Sequence, residues 1–234
     1  DRATTRFGIR EIRMERNPGF TPNEVQHPWT MVINGKREFL RSASWGGPPD
    51  IFYGRSSPEK YRRLVELARE ANINNLRIFG WHPTEVKHFY DLCDELGVTV
   101  WQDLIPLASV ALPEDTPFRD ATYAEAVAVL KRLRPHPSVV LLEGGEEIFF
   151  GNQGLEYNAK FLVGLGEAIR PHTTLPYVPT SPTDWPALLH QRGAVQLQHA
   201  HRVAAHRLPC AAPRVICSWR STPRQKAFTS GLPS

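Results

Sequence analysis

Residues 141–151 read LLEGGEEIFFG and place Glu143, Glu146 and Glu147 directly after an apolar run and among glycines. Adjacent ionised carboxylates repel. If both are partly buried, at least one of Glu146 and Glu147 should hold its proton above the ordinary range, which suits a general acid. Cleavage of a glycosidic bond requires such a division of labour, one protonated acid and one carboxylate flanking the bond. A metal site would add His or Asp at close range, and none lies in this stretch. The plainer alternative is that the acids cap the next helix or pair with arginines on a loop.

Three other stretches offer matching chemistry. SWGGPPD (44–50) carries Trp45 and Asp50, RIFGWHP (77–83) carries Arg77, Phe79 and Trp81, and WQDL (101–104) carries Trp101, Gln102 and Asp103. Aromatic faces stack on sugar rings, while Asp, Gln and Arg hydrogen-bond hydroxyls. A single Trp is more often core packing than ligand contact. The recurrence of Trp with polar neighbours carries more weight than any one of them.

These residues need elements to position them. FLRSASW (39–45), NLRIF (75–79), VTVWQDL (98–104), SVVLLEG (138–144) and PYVPTS (176–181) read as strands. Helices alternate with them. Ser57 and Pro58 open the first helix. Thr84 is expected to cap the second, whose apolar face is Val86, Phe89, Tyr90, Cys93 and Leu96, with Gly97 at its stop. Thr122 and Glu125 read as a capping box for the third, with Ala126, Val129, Leu130 and Leu133 inward. The fourth covers about 155–169. Strands apolar on both faces, alternating with amphipathic helices, predict an α/β fold with a parallel sheet, either a (β/α)8 barrel or a doubly wound sheet. No glycine-rich phosphate loop follows the first strand, which weakens the second option. The polar clusters all fall at strand C-terminal ends, the face where barrels build sites.

The net charge of +4 invites a nucleic-acid reading, but its distribution opposes it. The last acid is Asp184; seven basic residues follow it, so residues 1–184 hold 21 basic against 24 acidic side chains, a net −3. Residues 185–234 show neither helical nor strand periodicity and have few aromatics, so no nucleic-acid partner is expected. Their Arg, Ala, Pro, His and Ser bias is what GC-rich DNA yields when read out of frame. His199, His201 and His206 are the remaining metal-ligand option there. Cys93, Cys210 and Cys217 give no disulfide framework. No run approaches the roughly 20 apolar residues of a membrane span. DRATTRFGIREIRM is not a signal peptide and reads as a strand met mid-domain. Compartment and oligomeric state are not legible.

INGKREFLRSASWGGPPD, EANINNLRIFGWHPTEVKHFYDLCDELGVTVWQD and RLRPHPSVVLLEGGEE, in that order, resemble the catalytic barrel of family 2 glycoside hydrolases, nearest the β-mannosidase and exo-β-glucosaminidase branch, over about residues 6–180. The resemblance implies the first half of a (β/α)8 barrel over 31–184, the end of a β-sandwich domain and linker over 1–30, and an irregular basic tail over 185–234. It implies a retaining, exo-acting β-glycosidase acting on a carbohydrate substrate with no metal or organic cofactor. Glu147 maps onto the general acid/base. Glu146 stands where the family has an Asn that contacts the sugar; a carboxylate accepts from a hydroxyl but cannot donate as an amide does. Leu142 stands where the family has Trp. Asp50 and Arg77 map onto the terminal-sugar subsite, with Trp45, Trp81 and Asp103 as further substrate contacts. The family nucleophile is a later Glu. No acid follows Asp184, so no residue is assigned to that role and the chain alone is expected to be inactive.

Overall fold

The structure is a computed structural model that describes residues 7–19, 29–46, 56–148 and 155–181. Asp50 and the 185–234 tail lie outside the described residues. A three-stranded antiparallel sheet comes first: β1 (Ile12–Arg16), β2 (Trp29–Ile33) and β3 (Lys36–Glu38), in that order. Asn34 and Gly35 turn β2 into β3 with φ of 51° and 78°. That pairing of positive angles matches the right-handed twist of a tight hairpin, and Asn-Gly is the dipeptide that adopts it most readily.

A five-stranded parallel sheet follows in chain order: β4 (Ser42–Trp45), β5 (Asn75–Ile78), β6 (Thr99–Asp103), β7 (Val139–Glu146) and β8 (Tyr177–Ser181). The strand order never reverses, so the described sheet has no switch point of the doubly wound kind. Four helices connect the strands: α1 (Pro58–Glu70), α2 (Lys87–Leu96), α3 (Thr116–Leu133) and α4 (Leu155–Ile169).

Ser57 caps α1 by accepting from the Lys60 amide, and Gly97 ends α2 in the left-handed conformation at φ 71°, both as the sequence indicates. Two helix starts differ. Val86, not Thr84, is the N-cap of α2, and it makes no side-chain cap. The third helix begins at Thr116, because Asp115 accepts from the Phe118 amide and Pro117 lies in the first turn. Thr122 is therefore interior, and its hydroxyl bonds back to the Phe118 carbonyl (2.8 Å) instead of opening a helix.

Alternation along the strands gives the sheet two different faces. Toward the helices, Leu76, Ile78, Val100, Val139 and Leu142 pack with Val65, Phe89, Leu130, Phe161 and Leu165. A second cluster joins Trp101, Val140, Leu141 and Val178 to Met31 of β2, with Ile12, Met14 and Ile33 at its margin. The small sheet thus covers one part of the parallel sheet. Among the described residues no helix is long and apolar enough to cross a membrane.

Candidate active site

Arg77 on β5 is the centre of the polar end of the sheet. Its Nε and Nη2 donate to Asp103 Oδ1 (3.2 Å) and Oδ2 (2.9 Å), and Nη2 donates also to Glu143 Oε1 (2.9 Å). The guanidinium carbon lies 4.8 Å from the Trp101 ring centroid, within cation–π reach. All three charged residues are buried. One cation cannot neutralise two carboxylates removed from water. Burial accordingly raises Asp103 to about 6, with Arg77 opposing. Burial, and then repulsion from Asp103, hold Glu143 well above the carboxylate range, again against Arg77.

Glu146 ends β7, and Glu147 follows it at φ 50°, a left-handed conformation that a non-glycine residue rarely holds. Burial raises Glu146; Arg77 opposes this, and the neighbouring Glu147 adds to it. The expectation that at least one of the adjacent pair is raised is met by Glu146. The Glu147 amide donates to Ser181 O on β8 (2.9 Å), and its Oε2 accepts from the Ser109 hydroxyl (2.7 Å).

The glycines of this stretch are spacers. A Cβ on Gly144 would overlap Pro179 O and lie 2.5 Å from the Tyr177 hydroxyl, so only glycine lets β8 approach β7. Gly80 plays the same part beneath Glu146: a Cβ there would overlap Leu107 O and stand 2.9 Å from Glu146 Cβ. Gly80→Ala is expected to cost about 2–3 kcal/mol, at the upper end of overpacking costs. It should also move the Glu146 and Leu107 amide resonances while leaving those of α1 in place. Unchanged stability and spectra would show that the strand end yields freely.

The two tryptophans of the expected rim part company. Trp45 is 7% exposed, and its indole N–H donates to Glu85 Oε1 (2.8 Å). Trp81 is 69% exposed. Trp45 is thus packed in the described structure, and Trp81 presents its ring to solvent. Glu85, which no sequence motif marks, also accepts from the Tyr61 hydroxyl (2.7 Å) and lies 3.2 Å from His82 Nε2. Its amide donates to the Tyr90 hydroxyl (3.2 Å), which donates in turn to Gln102 Oε1 (2.6 Å). Gln102 Nε2 donates to Asp103 O (2.7 Å), so the chain of bonds ends beside Arg77.

Among the described residues Asp91, Asp94 and His136 form the grouping with metal-ligand reach. Its atoms are already engaged. Lys87 Nζ holds Asp91 at 2.5 and 2.7 Å, and Asp94 takes His136 Nδ1 (2.7 Å) and the Ser138 amide (2.9 Å). The grouping ties α2 to the start of β7, at the opposite end of that strand from Glu147.

A parallel βα sheet in chain order, with carboxylates gathered past its strand ends, is an enzyme-like scaffold. No family model matches the chain. It is 34% identical over 137 residues to the β-mannosidase of Capra hircus, covering 58% of this chain and 15% of that protein. It is also 34% identical to the β-D-mannosidase of Dictyoglomus thermophilum, whose structure matches 75% of this chain and 22% of its own with a TM-score of 0.64. The exo-chitosanase of Amycolatopsis orientalis, at 22% identity and a TM-score of 0.55, shares the fold over 82% of this chain and 21% of its own. These similarities point to a partial chain of glycoside hydrolase family 2. It spans between about 13% and 18% of the length of the curated β-mannosidases it matches.

Proposed function

We propose that residues 31–184 supply the first half of the (β/α)8 barrel of a retaining, exo-acting β-glycosidase of β-mannosidase type, with Glu147 as its general acid/base. Residues 1–30 are then the end of a preceding β-sandwich domain and a linker, of which β1 adds to the small sheet that packs on the parallel sheet. The observation that carries this reading is the shared 34% identity and common fold with a β-D-mannosidase over three quarters of the chain. The strand order supports it, since β4 and β8 end the described sheet as edges that further βα units of a barrel would cover.

In this reading Glu147 gives its proton to the glycosidic oxygen and later takes one from water. Glu146 and the exposed Trp81 meet the sugar; Asp50, outside the described residues, is assigned to the same subsite by the family resemblance alone, and Trp45, buried against Glu85, takes no sugar contact. Arg77 and Asp103 hold the floor beneath, since each already engages the other. A retaining mechanism needs a second carboxylate about 5–5.5 Å from the first. Glu143 is unsuited to attack because it is fully buried and bound to Arg77. The chain alone is therefore expected to bind a β-mannoside without cleaving it. With p-nitrophenyl β-D-mannoside, the expected result is saturable shifts of the Glu146 and Glu147 resonances and no release of nitrophenol. Release that disappears in Glu147→Gln would show a working nucleophile within the chain. Absence of any saturable shift would refute the mannoside site.

A further inference from the structure

Ser109 touches Glu147 across 38 positions of sequence. We propose that Ser109 is the positioning residue of the Glu147 carboxylate: it occupies Oε2 and leaves Oε1 free to face a substrate. The assignment of that second oxygen rests on Glu147 being the acid/base; the positioning itself does not.

Four observations converge on it. The Ser109 hydroxyl lies 2.7 Å from Glu147 Oε2. Ser109 and Glu147 are two of only four non-glycine residues with positive φ among those described, at 56° and 50°, and they are in contact with each other. Strained backbone persists only where its surroundings over-determine it, and it gathers at functional sites. Here the surroundings are visible. The Ser109 amide donates to Glu146 O (3.1 Å), Ala108 bridges to Glu146 in parallel, and the Glu147 amide is held by Ser181 O (2.9 Å). Finally, the buried Asn158 of α4 ties both segments together. Its Oδ1 accepts from the Leu112 amide (2.9 Å), and its Nδ2 donates to Val110 O (3.0 Å) and to Ile148 O. The loop after β6 and the end of β7 are thus locked in register, and the two strained residues face each other as a consequence.

The test is the side-chain rotamer of Glu147 in the full 234-residue chain, read from three-bond NMR couplings without any sugar. Wild type is expected to show one dominant χ1 rotamer. Ser109→Ala should give averaged couplings at Glu147 while the amide shifts of Glu146 and Ile148 stay in place. Ser109→Gly, which the positive φ favours, should do the same and guards against misfolding of the alanine variant. A single retained rotamer in either variant overturns the proposal. Loss of the Glu146 and Ile148 amide positions along with the rotamer overturns it too, because Ser109 would then be a backbone support alone. A chain that shows the predicted loss of rotamer order and yet binds no β-mannoside would keep the positioning and refute the glycosidase reading.

Discussion

Arg77→Met is expected to destabilise the chain by about 3–5 kcal/mol at pH 8, the cost of leaving buried charge without its partner. The side chain that remains still packs on Trp101, so the loss is electrostatic. It strands Asp103 and Glu143, both bound to the guanidinium in the native protein. The pH dependence has a definite sign. Asp103 is raised from 3.8 to about 6 and Glu143 is raised further above its ordinary 4.5, by burial first. A carboxyl raised on folding contributes stability that is fully present below its unfolded value and is lost as pH climbs through its folded value. Removing Arg77 raises both groups further, so the deficit should shrink at pH 5, where protonation neutralises them. Urea unfolding at pH 8 and pH 5 reads this directly. An equal loss at both pH values would mean that packing, not charge, is the cause.

Glu85→Ala should cost about 3–5 kcal/mol, from a cavity and from two buried donors left without an acceptor. Trp45 and Tyr61 both donate to this carboxylate, and Glu85 is 6% exposed. Burial pushes the Glu85 carboxyl up, but the bonds from His82, Trp45 and Tyr61 outweigh it and hold the group below 4.5. Its contribution is therefore present above the unfolded value and is lost as pH falls through the folded one, the opposite of Asp103. The Glu85→Ala deficit should diminish in acid below that range. Near-UV circular dichroism should report the freed Trp45. Wild-type stability in Glu85→Ala would show that the network is incidental.

The strands and helices were legible because each carries its own periodicity within a dozen residues. The α3 start was not. Thr122 and Glu125 look like a capping box, but Asp115 with Pro117 forms a cap seven residues earlier, and an interior Thr then bonds to its own helix. The β2–β3 hairpin is legible in Asn34-Gly35, whose positive φ values are those of a tight turn. At the site, the position of Glu147, Arg77 and Asp103 at strand ends could be anticipated. Their partnerships could not, since Arg77 meets Glu143 across 66 positions and Trp45 meets Glu85 across 40. Trp45 and Trp81 carry the same side chain, and only tertiary packing makes one a buried donor and the other an exposed ring.

The most direct test of Glu147 as the acid/base of a mannoside site uses a mannose-configured reagent, an N-bromoacetyl β-D-mannosylamine. A carboxylate oxygen near its sugar displaces bromide and forms an ester, which peptide mass spectrometry locates without any need for turnover. The account predicts one ester, on Glu147, suppressed by excess p-nitrophenyl β-D-mannoside and absent from Glu147→Gln. Labelling spread across exposed carboxylates such as Glu114 and Glu125, at rates that the mannoside does not change, would contradict it.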